Sequence, residues 1–332
     1  MSAYGLGELP GTSVFEAANI IQGETGQLLH LPQLPARGLG ADHIGRSIGL
    51  LEALNVARGP RSWMMSTRPS RLSHRTLDFI NSDLDSCEEV WGTSLETIKI
   101  QVVGPWTLGA RIELNNGHRV LTDRGAMRDL TEALIEGINR HKSEVARRFR
   151  AEVKVQIDEP DLATLIDGKL EGTSTFDTIA PVRVPDINER LHRVFSEIEG
   201  SNYLNITGQL PNWEVARGAG AGAGTVQVSM NQVSGNEHLD GFGETLTSGI
   251  RLGLGITDSQ DVVDEFHENP RAKAVAIARF FDEIGLDRSL LVDQVDIHPR
   301  GSLLEGTTAD AAPAYRMARV VSEMLEKDAG DL

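Results

Sequence analysis

Short β-rich runs alternate with longer helical patterns, eight such runs can be placed, and no linker divides them. Together these predict an α/β fold, a single (β/α)8 barrel of the TIM type over residues 1–332. The predicted strands are 3–7, 27–31, 98–103, 153–157, 203–206, 226–228, 252–256 and 291–297. Helix signals fill the gaps between them. Thr122-Asp123 opens a long helix running to about Arg150, and Asp186 opens another that Gly200 closes. Asn269-Pro270 precedes a helix closed by Gly285, and AAPAYRMARVVSEMLEK forms the last.

Three segments interrupt the alternation. Residues 110–121 (ARIELNNGHRVL) set two β-like runs around Asn115-Asn116-Gly117, which predicts a β-hairpin insertion after the third strand, placed to cover the barrel mouth. Residues 57–69 (ARGPRSWMMSTRP) read as an irregular arm. The patch at 218–224 (GAGAGAG) reads as a tight turn between a helix and the sixth strand.

Composition narrows the function classes. With 40% hydrophobic and 24% charged residues, the chain has the make-up of a folded globular protein. Its net charge of −16 repels phosphate backbones and anionic lipid, so the expected partner is a small molecule, not nucleic acid or membrane. No apolar run reaches the roughly 18–20 residues of a membrane helix, and the first residues carry no charged-then-apolar leader, which predicts a cytoplasmic location. The one cysteine, Cys87, excludes an internal disulfide framework and any Cys-rich metal site.

In a barrel of this type the chemistry sits where the strands end and the βα loops begin. The residues just past the predicted strands are Glu8, Gln33, Gly104-Pro105-Trp106, Asp158-Glu159, Thr207, Ser229, Thr257-Asp258 and His298-Pro299-Arg300. The most informative motif is Val155-Gln156-Ile157-Asp158-Glu159-Pro160, an apolar strand ending in two carboxylates. A carboxylate there could bind an amino group, accept a proton or ligate a metal. The plainer alternative has Asp158 capping the following helix and Glu159 in solvent.

Four stretches resemble the C-terminal catalytic domain of cobalamin-independent methionine synthase, in its short actinobacterial form. They are Gly5-Leu6-Gly7-Glu8-Leu9-Pro10-Gly11-Thr12, Leu31-Pro32-Gln33-Leu34-Pro35-Ala36-Arg37-Gly38, Gln101-Val102-Val103-Gly104-Pro105-Trp106-Thr107-Leu108 and Gln156-Ile157-Asp158-Glu159-Pro160. The resemblance implies a methyltransferase that moves a methyl group from a methylated folate to the thiol of homocysteine, in a barrel like that of uroporphyrinogen decarboxylase. It implies a zinc ion that activates the thiol, held by His-x-Cys after one strand, an acid after the next and a Cys after the last. At those places this chain carries Asn205 and Thr207, then Ser229, then Arg300. One cysteine cannot supply two thiolates in any register, so the expectation is a methionine synthase-like protein with a degenerate zinc site and no zinc. On the substrate side, Asp158 matches a residue that binds the amino group of homocysteine, with Gln156 in the same motif. Gln33 stands for a Glu with the same task, and Glu8 for a Ser that contacts the amino acid. Trp106 could stack on a flat ligand such as a pterin, or be a core aromatic.

Other assignments stay open. Asp296 and His298 lie two apart on one strand and, with Asp158, could form an oxygen- and nitrogen-rich metal site; a structural His is the alternative. His30 and His43 flank a Pro-Gln-Leu-Pro-Ala-Arg segment and read as loop polar groups. Arg37 and Arg46 could bind an anion or pair with the surplus acids. The alternative functions are a metal-free barrel in which Arg300, Asn205 and Thr207 hold an anionic small molecule, and a decarboxylase-like barrel. The latter would want arginines near the first strand, which carries Glu8 instead.

Overall fold

A computed structural model describes the chain except residues 27, 52, 62, 69–70, 174–177 and 329–332. Among the described residues the strands are β1 (Leu29–His30), β2 (Val56–Arg58), β3 (Trp63–Met65), β4 (Thr97–Val103), β5 (Ile112–Glu113), β6 (Glu152–Asp158), β7 (Asn202–Asn205), β8 (Gly224–Ser229), β9 (Arg251–Thr257) and β10 (Val295–Pro299). Seven of them form one curled, all-parallel sheet in the order β1-β4-β6-β7-β8-β9-β10. Helices follow the strands, as parallel crossovers require. No helix among the described residues is long and apolar enough to cross a membrane.

Both edges of the sheet meet the same N-terminal segment. Ala3 pairs in parallel with Ile297 of β10, and Glu8 pairs in parallel with Gln33 just past β1. Ile297 N–H donates to Ser2 O at 2.9 Å, Gln33 N–H to Gly7 O at 2.9 Å and Leu9 N–H to Gln33 O at 2.9 Å. The run predicted as strand 3–7 is thus an extended segment with isolated bridges at its two ends. Gln27, where the second predicted strand begins, lies outside the described residues.

The strands show two different faces. Ile98, Ile100 and Val102 of β4, Val153, Val155 and Ile157 of β6, and Leu252 and Leu254 of β9 are buried in the main hydrophobic core. The alternate residues are polar and also buried: Lys99 and Gln101, Gln156 and Asp158, Gln227 and Ser229, Asp296 and His298. A small separate cluster of Tyr4, Leu6, Leu28 and Tyr203 packs with the polar set. Register aligns these residues across strands, with Gln101 beside Gln156, Asp158 beside Asn205, Asn205 beside Gln227 and Gly255 beside His298.

Several predicted elements need correction. Residues 291–294, the start of the eighth predicted strand, belong to the helix Arg288–Gln294, and β10 begins only at Val295. The deciding feature is Asp287, whose side chain caps that helix by accepting from Ser289 N–H at 2.7 Å. The glycine-rich patch is not a turn but the end of the helix Trp213–Ala223. Its glycines are there for close packing: a Cβ on Gly218 would lie 2.2 Å from Asn188 Nδ2, and one on Gly220 would lie 2.6 Å from a Val226 methyl. Only Gly224, at φ 95°, makes the turn into β8.

At 110–121 the Asn-Asn-Gly signal does make a turn, with Leu114 N–H donating to His118 O at 2.7 Å and an antiparallel bridge from Glu113 to Arg119. Its first arm, β5, pairs in parallel with β3, which is antiparallel to β2. The supposed arm at 57–69 and the expected insertion are therefore parts of one three-stranded satellite sheet; Ser62 and Pro69 lie outside the described residues. The long helix runs Arg124–Phe149 as expected, with Asp123 capping it.

Candidate functional site

The polar face converges on Asp158, at the end of β6. Its Oδ1 accepts two hydrogen bonds, from Gln156 Nε2 and from Asn205 Nδ2, both at 2.7 Å. Asn205 Oδ1 accepts in turn from Thr207 N–H at 3.0 Å and Thr207 Oγ1 at 2.8 Å. Gln156 Nε2 also donates to Leu6 O at 2.8 Å, and its Oε1 accepts from Gln227 Nε2 at 3.2 Å and from the Lys99 ammonium. Burial raises the Asp158 pKa, against the Asn205 and Gln156 bonds and the Lys99 and His43 charges. Burial lowers the Lys99 pKa, with Asp158 opposing. Lys99 is fully buried between the rings of Tyr4 and Tyr203, 5.2 and 5.9 Å from their centres.

Glu8 forms the second part of the site. It accepts from Ser302 Oγ at 2.7 Å and meets His43 Nδ1 at 3.1 Å. Burial opposes the charge on both groups, but their mutual attraction outweighs it and draws the Glu8 pKa down and the His43 pKa up. Gln33, bridged to Glu8, donates to Gln101 O at 3.3 Å. Around the network, Tyr4 Oη, both amide atoms of Gln101, Gln227 Oε1 and His298 Nε2 are buried without a partner among the described residues. Buried polar atoms of this kind call for water or a ligand.

Glu159, next to Asp158, does neither of the things its motif suggests. It is wholly buried and points the other way, accepting from Trp106 N–H at 3.0 Å, Thr107 N–H at 2.7 Å and Thr107 Oγ1 at 2.6 Å. It thereby caps the helix Pro105–Arg111 from outside, as a carboxylate at a helix N-terminus should. Gly104 is required there, since a Cβ would lie 2.3 Å from the carboxylate. Burial still pushes the Glu159 pKa up to about 7 against these three bonds.

The remaining predicted residues are placed as follows. The Trp106 indole turns away from Asp158, donating to Ile187 O at 3.4 Å with the Arg190 guanidinium 5.1 Å above its ring. It lines a groove of about 1340 Å³ between the helices Arg124–Phe149 and Val184–Ser196. Much of the charge lining that groove is ion-paired, as in Arg193–Glu132 at 2.7 Å and Arg183–Asp186 at 2.8 Å. The convergent network lies at Asp158 instead.

Ser229 Oγ donates to Arg300 O at 2.7 Å, and the Arg300 side chain pairs with Asp258. Asp296 and His298 do not form the alternative metal pair. Asp296 is held by Ser2 N–H at 2.9 Å and Arg251 at 3.0 Å, while His298 Nδ1 lies 2.6 Å from Pro299 O with its ring stacked on Tyr4. Burial lowers the His298 pKa to about 4. Among the described residues no three His, Cys, Asp or Glu side chains are grouped to hold a metal.

His30 is no loop residue: it is buried in β1, with Nε2 3.2 Å from Tyr315 Oη. Arg37 and Arg46 both pair with Asp83, Arg37 at 2.6 and 2.7 Å. Beside them Cys87 is fully buried and its thiol is pushed far up, so it is no reactive nucleophile. Lys99 is the residue that a search of strand ends misses, because it lies mid-strand. The alternation Ile98-Lys99-Ile100-Gln101-Val102 carries the signal, since apolar and polar residues there take opposite faces.

No family model matches the chain, and no curated protein matches it. A B12-independent methionine synthase from Shewanella sp. W3-18-1, solved in complex with selenomethionine, superposes with a TM-score of 0.49 at 12% identity, over 84% of this chain and 76% of that one.

Proposed function

We propose that this protein is a closed (β/α)8 barrel that binds a small molecule bearing a protonated amino group at the C-terminal ends of its strands, without a zinc ion. The N-terminal segment would serve as the eighth strand, joining β10 to β1 through its bridges at Ala3 and Glu8. One observation carries the ligand reading. Asp158 is buried to 8% exposure and, among the described residues, has both of its side-chain bonds on one oxygen, which leaves the other for a charge-assisted bond.

Zinc does not fit the residues at the four positions where the resemblance places its ligands. Asn205 spends its oxygen on Thr207, Ser229 donates to a backbone carbonyl, and Arg300 brings a cation. None of the four offers the anionic donor that zinc prefers. Methyl transfer to homocysteine, with a methylated folate as donor, is the second reading. It is favoured by Asp158, which stands where the resemblance puts the amino-group anchor, but the chain would have to activate the thiol by means other than zinc. Growth of a methionine auxotroph on this chain would establish it.

Calorimetric titration with L-homocysteine, L-methionine and n-butylamine tests the main reading. Binding of amine-bearing compounds is expected, weakened about 30-fold or more in Asp158→Ala. Undiminished affinity in that variant would place the ligand elsewhere, and no binding by any of the three would sink the amine class. A one-to-one zinc content in purified protein would overturn the metal-free assignment.

A further inference from the structure

We propose that Lys99 is the positioning residue of this site. Acting through Gln156, it holds Asp158 with one oxygen occupied and one free, and it supplies the buried positive charge that keeps the carboxylate available to an amine. The inference deepens the proposed ligand site at Asp158 and rests on it.

The argument starts from what an ammonium group can and cannot do. It has three donors and no acceptor. Lys99 is fully buried, forms no ion pair within salt-bridge distance among the described residues, and donates to Gln156 Oε1. That contact fixes which end of the Gln156 amide faces Lys99. A flipped amide would set its NH2 against the ammonium, and its oxygen against Leu6 O and Asp158. In the orientation present, Nε2 reaches both Leu6 O at 2.8 Å and Asp158 Oδ1 at 2.7 Å, while Gln227 supports Oε1 at 3.2 Å. Asn205 is fixed in the same manner by Thr207 and donates to the same Asp158 oxygen. The two amides therefore saturate Oδ1, and the amide chain that begins at Lys99 decides which oxygen is left.

The charges around the pair agree with this role. Asp158 faces Lys99 across Gln156 and faces His43, which has Glu8 and Asp42 beside it. Lys99 faces His30 and His298, and burial keeps both imidazoles neutral, the second with a pKa of about 4. Asp296 and Arg251 pair with each other and act on Tyr4 and Tyr203. Among the described residues Lys99 is thus the cation next to the Asp158 network inside the sheet, with a pKa that burial lowers to about 7, and His43 is the one at its mouth.

The test is a carbon-13 NMR titration of the full-length protein labelled at aspartate side-chain carboxyls. The Asp158 signal is assigned by its loss in Asp158→Asn. In Lys99→Met the Asp158 midpoint is expected to rise by about 1 pH unit or more, the effect of losing a nearby opposite charge. An unchanged midpoint in folded Lys99→Met overturns the inference. If that variant does not fold, Gln156→Leu keeps the lysine but cuts the chain, and its Asp158 midpoint must then rise; an unmoved midpoint overturns the inference equally. The titration needs no ligand, so it stands apart from the amine reading. A moved midpoint with no amine binding fails only the ligand site, and amine binding lost in Asp158→Ala with an unmoved midpoint fails only Lys99.

Discussion

Asp158 and Glu159 are neighbours in one motif, both carboxylates and both buried, yet they serve opposite faces of the same sheet. Glu159 turns toward the helix Pro105–Arg111 and has a donor for each oxygen: Trp106 N–H on Oε1, with Thr107 N–H and Oγ1 on Oε2. Asp158 turns inward and has both donors on Oδ1. A fully served carboxylate holds structure together; a half-served one has an oxygen to spare, and the proposed ligand site rests on that oxygen. Two of the four stretches that carry the resemblance, those with Gly104-Pro105-Trp106-Thr107 and Gln156-Ile157-Asp158-Glu159-Pro160, are joined by Glu159, so much of what these two specify is the joint itself.

The comparison breaks first at Glu159→Ala. Removing the carboxylate strands three buried donors at once, and the expected loss is about 4 kcal/mol, read as a lower urea midpoint. Asp158→Ala, which relieves a desolvated charge as well as removing two bonds, is expected to stay within about 1 kcal/mol of wild type. Equal losses in the two variants would erase the distinction between a structural and a functional carboxylate.

The pH dependence comes next in size. The folded pKa of Glu159, about 7, lies above its ordinary value of 4.5. A raised carboxyl pKa means the folded state holds the proton more tightly, so this group's stabilisation is complete below pH 4.5 and is lost as pH rises toward 7. The integrated effect is at most about 3 kcal/mol. His141 and His298, both lowered to about 4 by burial, act with the opposite sign as pH rises toward 6.5. The wild-type curve alone therefore mixes the two. The difference between wild type and Glu159→Gln isolates Glu159, because the histidines cancel. That difference should shift against wild type from pH 4.5 to 7, and a flat difference would mean that the cap is ionised throughout.

Much of the fold was legible because parallel strands buried on both faces leave a clear record. β4, β6, β8 and β9 lie within one or two residues of their predicted bounds, since each has apolar residues at alternate positions and turn residues at its ends. Residues 291–294 were misread because Leu-Leu-Val-Asp fits either period, and only the Asp287 cap decides for helix. The glycine-rich helix was misread because local propensity calls for a turn, while the packing of Asn188 and Val226 against it is not written locally. At the proposed site, Asp158 was picked out by its motif, and the expectation of a zinc-free site came from the lone cysteine. Glu159's outward turn was not legible, because it depends on the placement of a helix 50 residues earlier, and Lys99 was passed over because a lysine in a strand reads as exposed unless its alternation partners are compared.

The smallest expected effect is also the most specific. Thr107→Val removes the 2.6 Å hydroxyl bond to Glu159 and leaves both backbone donors in place. One charge-assisted bond sets the scale at about 1.5 kcal/mol. The Thr107 side chain is also the strongest influence holding the Glu159 pKa down against burial, so its removal should raise that pKa further. A higher folded pKa costs nothing where Glu159 is protonated in both proteins and costs progressively more once the wild-type group ionises. The stability gap between Thr107→Val and wild type should therefore be smaller at pH 5 than at pH 8. A gap that ignores pH would assign Thr107 a packing role and take the hydroxyl out of the cap.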